Sequence, residues 1–498
     1  MADGGTEVLI VGAGPSGLFA AAELARHGVR ARVVERQPDP HRQARATAVQ
    51  PATMEILQQA GIADRVLAAS EHLDFARVYD RELRCMAEMA FAGAGCRWEF
   101  QTSLPQWRTE QILAERLTEL GGTVDRAVSV ESVQERDRDV LVTLQRAGGA
   151  TETAEADWVI GAGGAASITR GSMDESLAGT TYPGPALAAD VRVRSSLPRD
   201  CSALIASPEG YVLLAALPDD HWITFIGDLD EAESARLESD RSVAAVAATM
   251  GRRIPDEVVH VEEVAWASPF RMHRRQAPRL ADGRRFLLGD AGHLSSPFGG
   301  EGLNSGLQDA HNLAWKLALV QRGRARPSLL ESYAPERAAA DAHVLEVSDR
   351  LHQLAYDAVA SARAGTFPGP PSPERVAALV RSRCMLDVSY AGTPLVGEYR
   401  AAGLPPWPGP APGDRYPDRL SLPGTRHHLI ISGRADDEEL ARLRRRWHDL
   451  VDVSQAPGED PAAVLVRPDG YIGFRATPAD QAGLRALDTH LAAYLIPA

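Results

Sequence analysis

The chain has 498 residues, room for about three domains at ~100–200 residues each, and its 44% hydrophobic and 24% charged content excludes wholesale disorder. Lys and Arg number 53 against 67 Asp and Glu, a net charge of −14, which argues against nucleic acid or an anionic membrane surface as a partner. No apolar run approaches the ~20 residues that a membrane span needs.

The opening residues, Met1-Ala2-Asp3-Gly4-Gly5-Thr6-Glu7, are acidic and lead into a short strand with no cleavage-like site, so no signal peptide is expected. Cys85, Cys96, Cys201 and Cys384 fit neither a CxxC pair nor a zinc cluster. Free thiols in a reducing cytoplasm and no metal site are the expectation.

Residues 7–36 read strand, turn, helix, strand. Val8-Leu9-Ile10-Val11 is a continuous apolar run, as a buried parallel strand requires. Leu18, Ala21, Ala22, Leu24 and Ala25 follow at helical spacing, Gly28 fits the helix end, and residues 31–35 form the next strand. A helix is predicted over 110–120, then short strands ending at Trp158-Val159-Ile160-Gly161. Residues 175–270 alternate apolar and polar positions, predicting an antiparallel sheet in a separate lobe. A buried strand returns at 285–290. Leu303, Gly306, Leu307, Ala310, Leu313, Ala314 and Leu317 then mark one stripe of a long helix. Residues 365–373 and 404–413 are rich in Pro and Gly and read as loops. Beyond 414 come a strand at 429–431, a helix over 437–447, a hairpin around Pro468-Asp469-Gly470 and a last helix over 484–491.

Two motifs carry chemistry. In Gly12-x-Gly14-x-x-Gly17, Gly12 permits the tight turn, Gly14 lets the backbone approach a pyrophosphate, and Gly17 lets helix pack on strand. Pro15 and Ser16 open a helix whose free N–H groups favour phosphate, and Glu35, followed by Arg36, stands where an adenosine ribose would be held. This predicts a dinucleotide without choosing between FAD and NAD. The second motif, Gly289-Asp290-Ala291-Gly292-His293 followed by Pro297-Phe298-Gly299-Gly300-Glu301-Gly302-Leu303-Asn304, ends a strand and opens the long helix. Asp290 can bind a polyol hydroxyl, and the helix start can face a developing anion. FAD has a ribityl chain and NAD has no second polyol, which favours FAD.

These segments, with Gly306-Leu307-Gln308-Asp309-Ala310-His311-Asn312-Leu313-Ala314-Trp315, Arg45-Ala46 and residues 105–110, resemble the class A flavin-dependent aromatic monooxygenases of the p-hydroxybenzoate hydroxylase-like superfamily. The resemblance covers nearly the whole chain and is nearest to actinobacterial aromatic-polyketide hydroxylases that carry a C-terminal thioredoxin-like domain. It implies an α/β fold with an α+β substrate lobe: a Rossmann-like FAD-binding domain, an inserted antiparallel substrate sheet and the C-terminal domain. The expected division is 1–175 (with 74–97 in the substrate lobe) and 276–395 for FAD, 176–275 for substrate, and 396–498 for the thioredoxin-like domain. That domain has no cysteine, which excludes thiol–disulfide exchange there. The resemblance implies that Glu35 holds ribose, that Arg45, Gln106 and Arg108 lie near the flavin and its ribityl–phosphate arm, and that the backbone at Val130 passes the adenine. It also places Asp290 at ribityl or pyrophosphate, and Pro297, Gly300, Gly302, Leu303 and Asn304 against the isoalloxazine.

The implied reaction is NADPH- or NADH-driven hydroxylation of a small aromatic, polycyclic substrate with O2, through a flavin C4a-hydroperoxide. Epoxidation, Baeyer–Villiger insertion, or ligand binding without turnover stay open. One departure bears on turnover. The family's usual Gly-Ala-Asp-Gly reads Gly161-Ala162-Gly163-Gly164, which puts coupling of flavin to nicotinamide in question. Trp98, Phe100, Trp222 and Phe225 are core aromatics by default, with one or two expected, alongside Pro297 and Phe298, to line the substrate cavity. His273 among Arg271, Arg274 and Arg275 reads as a solvated strand, and His427-His428 lacks metal partners. No general base announces itself, and a monomer or a homodimer fits equally.

Overall fold

The computed structural model describes residues 6–40, 42, 46–366, 372–407, 409–422, 424–458 and 460–498. Its first sheet forms around the apolar strand Thr6–Val11, which pairs in parallel with Ala31–Glu35 on one side and Thr151–Gly161 on the other. Arg285–Leu287 adds in parallel beyond Thr151–Gly161, and Val124–Arg126 beyond Ala31–Glu35. Val8, Leu9 and Ile10 are wholly buried because helices and a second layer cover both faces. Parallel pairing brings the ends at Val11, Glu35, Gly161 and Leu287 to one edge. The glycine loops 12–17, 161–164 and 289–292 therefore meet in one crevice, where open α/β sheets bind their ligands.

The second sheet has seven strands in the order Val259–Phe270, Ala186–Ser195, His221–Ile226, Gly210–Ala216, Cys201–Ser207, Phe75–Tyr79 and Cys85–Ala90. All pairs are antiparallel except Cys201–Ser207 with Phe75–Tyr79. The segment 75–90, far upstream in the chain, thus completes the sheet that covers the crevice. The third sheet, Gly397–Arg400, Ile472–Thr477, Ala462–Val466, His427–Ser432 and Val451–Ala456, carries the helices Asp437–Arg446 and Gln481–Tyr494.

The helix Gly302–Gln321 runs through the centre and is buried on all sides from Asn304 to Leu319, which explains polar residues on what the sequence showed as one apolar stripe. Each buried charge on it has a partner. His311 pairs with Glu23 at 2.8 Å, and Lys316 with Glu336 at 2.7 Å. Asp309 holds Arg337 at 2.6 Å, and Asp341 also pairs with Arg337, at 3.1 Å. From the third sheet's side Arg467 grips Glu336 at 2.6 Å and pairs with Asp469 at 2.5 Å. The helix Tyr333–Ala364, 32 residues long, lies between this centre and the second sheet.

Candidate active site

Between the crevice and the seven-stranded sheet lies a cavity of about 1440 Å³. Drug-sized ligands occupy roughly 300–1,000 Å³, so the space admits two ligands side by side. One end is lined by the sheet's C-terminal loops: Gly12, Gly14, Pro15, Ser16, Glu35, Arg36, Arg126, Val128, Val130, Gly163 and Asp290. Gly12 has φ +108°, and a Cβ there would lie 2.4 Å from the Ala162 carbonyl oxygen. Gly17 packs tighter still, a Cβ falling 2.0 Å from the Gly12 oxygen. Gly14 differs: no protein atom lies within 4 Å of its Cβ position. The helix Pro15–Arg26 begins there with no side-chain cap, so its first N–H groups face the cavity. Ser16 Oγ sits where Cβ atoms on Gly289 and Gly306 would come, at 2.6 and 2.3 Å, so the first helix packs against the 289–292 loop and the central helix through these glycines.

Glu35 accepts from the backbone N–H of Ala13 at 2.9 Å and of Gln37 at 2.9 Å, which fixes its carboxylate at the end of its strand beside the first loop. Gln106 lines the cavity and donates to Glu110, whose carboxyl is raised by burial. Arg108 is not among the lining residues and turns along its own helix to Gln111. Arg45 lies outside the described residues. Pro297, Gly300, Gly302 and Leu303 line the cavity where the long helix starts. Asn304 does not. It is fully buried and clamps the loop, accepting from Gln50 N at 2.8 Å and donating to the Ala48 and Gly300 carbonyls at 2.9 and 2.6 Å.

These residues fit FAD. An uncovered Gly14 and a free helix start suit a pyrophosphate, Asp290 is exposed to the cavity, and a second helix start at Gly302 leaves N–H groups for the polar edge of a ring. Gly163 lines the same end with φ −79°, and its nearest Cβ neighbours would be 3.8 Å away. The loop it sits in is tied to residues 289–291 by Arg170, which donates to the carbonyls of Ala291 at 3.0 Å and Ala165 at 2.6 Å.

The opposite wall is one face of the second sheet. Ala188, Leu204, Leu213, Ala215, Ile223, Phe225, Trp266 and Phe270 line it, with Met86 and Met89 from the upstream hairpin. Of the substrate-lining candidates named from sequence, Phe225, Pro297 and Phe298 line the cavity. Trp222 does not: residues 223 and 225 face the cavity and period two turns 222 to the other face, beneath Arg199. Trp98 is 6% exposed within the core of the first unit, and Phe100 stacks on His72 at 4.2 Å, so neither reaches the cavity. His273 and Arg271 do line it, at its rim, where a solvated strand was expected. Phe298 stacks on His352 at 4.7 Å, and His352 on Tyr356 at 4.7 Å; burial lowers the His352 imidazole to about 4, so it is neutral.

Sequence reading missed four polar residues of the cavity: Gln101, Ser202, Glu301 and Arg383. Glu301 stood inside a quoted loop, whereas Arg383 meets Gln101 across 282 residues and gave no local signal. Among the described residues, one His/carboxylate group has metal-like spacing: His293, Asp309 and Asp341. Arg337 already fills it. No helix among the described residues is long and apolar enough to cross a membrane.

Two families match the chain: an FAD binding domain over residues 5–348, and an aromatic-ring hydroxylase C-terminal domain over 413–495. A 6-methylpretetramide 4-monooxygenase of Streptomyces rimosus is 37% identical over 339 residues, 67% of this chain and 59% of that enzyme. A flavin-dependent monooxygenase of Mycobacteroides abscessus is 32% identical over 94% of this chain and 96% of its own length. The structure of an anhydrotetracycline hydroxylase from Streptomyces rimosus superposes with TM-score 0.78 at 28% identity, covering 99% of this chain and all of that one.

Proposed function

Because this chain belongs to the FAD-binding family of flavin-dependent aromatic-ring monooxygenases, we propose that it hydroxylates a polycyclic aromatic small molecule, of the polyketide kind on which its tetracycline-pathway relatives act. The observation that carries this is the two-walled cavity: glycine loops and helix starts on one side, one apolar sheet face on the other. Bound FAD, reduced by NADPH or NADH, supplies oxygen transfer from O2.

The chain's own residues do the rest. Gly12, Gly14 and the helix start at Pro15 receive the pyrophosphate, with Glu35 at the ribose and Asp290 at the ribityl chain. The helix start at Gly302 would offer N–H groups and positive potential to the flavin ring. Phe225, Phe270, Trp266, Leu204 and Leu213 hold a flat aromatic and exclude water, which protects a reactive oxygen donor. On this reading the segments 1–175 and 276–395 carry the cofactor, 176–275 with 74–97 covers the substrate, and 396–498 braces the whole. The protein works in the cytoplasm.

The test is direct. Purified protein should be yellow and release FAD on denaturation. A panel of aromatic polyketides should contain one that speeds anaerobic bleaching by NADPH and returns a product heavier by one oxygen atom. Bleaching without any oxygenated product across the panel would refute hydroxylation; a flavin that no ligand causes NADPH to bleach would mark a binder.

A further inference from the structure

The cavity holds one polar island at the edge of its apolar wall. Arg383 is 9% exposed and lines the cavity. Its Nη2 donates to Ser202 Oγ at 3.1 Å and Gln101 Oε1 at 3.3 Å, both uncharged. It makes no ion pair among the described residues, and its Nε has no partner there. The amide Nε2 of Gln101 is likewise unpartnered. Glu301, 1% exposed, also lines the cavity, and neither carboxyl oxygen has a partner among the described residues. Its Oε1 stands 3.0 Å from where a Cβ on Gly299 would be, so the glycine leaves it room. Burying a guanidinium without a counter-ion, or a carboxyl without a hydrogen bond, costs free energy that a purely structural site has no reason to sustain. Several orphaned polar groups around one cavity are the complement of a polar ligand.

Resting on the reading that the cavity takes an aromatic substrate, we propose that Arg383, Gln101 and Glu301 form a subsite for the oxygen substituents of that substrate. Arg383 and the Gln101 amide donate to an acidic phenol or quinone oxygen, and the Glu301 carboxyl hydrogen-bonds a neighbouring ring oxygen. Burial holds the Glu301 carboxyl well above the usual carboxylate range, against the pull of Arg383, so it meets the ligand as a neutral acid. The subsite thus selects oxygenated ring systems over bare ones, because a ligand without oxygen atoms leaves these groups unpaired. A hydroxyquinone carries both kinds of oxygen, a carbonyl acceptor and an acidic phenol.

The probe pair is alizarin, a dihydroxyanthraquinone, and anthracene, the same three-ring frame without oxygen, with binding to FAD-loaded protein measured by equilibrium dialysis. The wild type should prefer alizarin by about tenfold or more, as charge-assisted hydrogen bonds imply. Arg383→Met should cost alizarin roughly ten- to a hundredfold and leave anthracene unchanged. Glu301→Gln, which keeps a neutral donor, should stay within a few fold, whereas Glu301→Leu should lose alizarin and melt higher than wild type. Should Arg383→Met not retain FAD, the Glu301 pair carries the same test. Equal affinity of the wild type for both probes, no binding of either, or undiminished alizarin binding in Glu301→Leu would overturn the subsite. NADPH bleaching of the wild-type flavin, measured separately, reports on the monooxygenase reading alone.

Discussion

Replacing Gly14 by alanine separates what the chain needs from what its ligand needs. Gly14 has φ −74° and ψ −178°, open to any residue, and its Cβ would meet no protein atom within 4 Å. The apoprotein should therefore fold as well as wild type, or gain the ~0.4–1 kcal/mol that a Gly to Ala change yields at a compatible site by restricting the unfolded chain. The added methyl projects into the space given to the pyrophosphate. Overpacking of that order costs about 1–3 kcal/mol, or roughly five- to 150-fold in FAD affinity. Gly17→Ala is the contrast, since its Cβ would stand 2.0 Å from the Gly12 carbonyl oxygen. The turn must open, so both stability and FAD binding should fall. Apoprotein of each variant is titrated with FAD by fluorescence quenching and melted without it. Wild-type FAD affinity in Gly14→Ala, or a loss of apoprotein stability matching Gly17→Ala, would refute the placement of the cofactor.

Asp290→Ala should weaken FAD by roughly ten- to a hundredfold, read in the same titration; unchanged affinity would remove Asp290 from the cofactor site. Gly163→Asp should fold normally, since φ is −79° and the nearest Cβ contact would be 3.8 Å; if the missing acid limits nicotinamide coupling, anaerobic stopped-flow should show faster reduction by NADPH, and an unchanged rate assigns coupling elsewhere. His293, beside Asp309 and Asp341, is raised from 6.5 to about 9; its contribution to stability is complete below about pH 6.5 and is lost as pH rises through 9, so wild-type melting should decline across that interval more steeply than that of His293→Asn. Arg467→Leu should destabilise by about 3–5 kcal/mol, because it strands Asp469 and leaves Glu336 in the interior with Lys316 as its one remaining cationic partner among the described residues; a denaturant midpoint equal to wild type would contradict this.

The glycine loops were legible because their chemistry is local: each needs a small residue at a fixed offset from a strand end, and the parallel sheet brings those ends together without further information. The role of Asn304 was not, since its partners Gln50 and Ala48 lie some 250 positions upstream. The apolar wall of the cavity shows the limit of periodicity. Alternation in Trp222-Ile223-Thr224-Phe225 defines two faces of a strand, but only the packing of the sheet over the crevice decides which face is the cavity's. Ile223 and Phe225 won over the larger Trp222. Trp98 and Phe100 failed for a related reason: a turn of chain directs them into the first unit's core and onto His72. Arg383 and Gln101 form a site only through tertiary folding, and nothing near either in sequence announces the other.

The ionic knot that joins the third sheet to the central helix has a consequence for how such chains can diverge. Arg467 answers Glu336, which answers Lys316, while Asp469 takes hydrogen bonds from Asn312 and Trp315. A recombinant that kept the first 395 residues and borrowed a foreign tail would keep Glu336, Asn312 and Trp315 and lose their partners Arg467 and Asp469. The tail is thus bound to its own cofactor unit by ancestry as much as by contact, and the two must change in concert. The covering sheet faces no such constraint on its cavity side, where apolar side chains can be exchanged one at a time. New substrate ranges in this lineage should arise by variation in the cover while the tail descends with its partner.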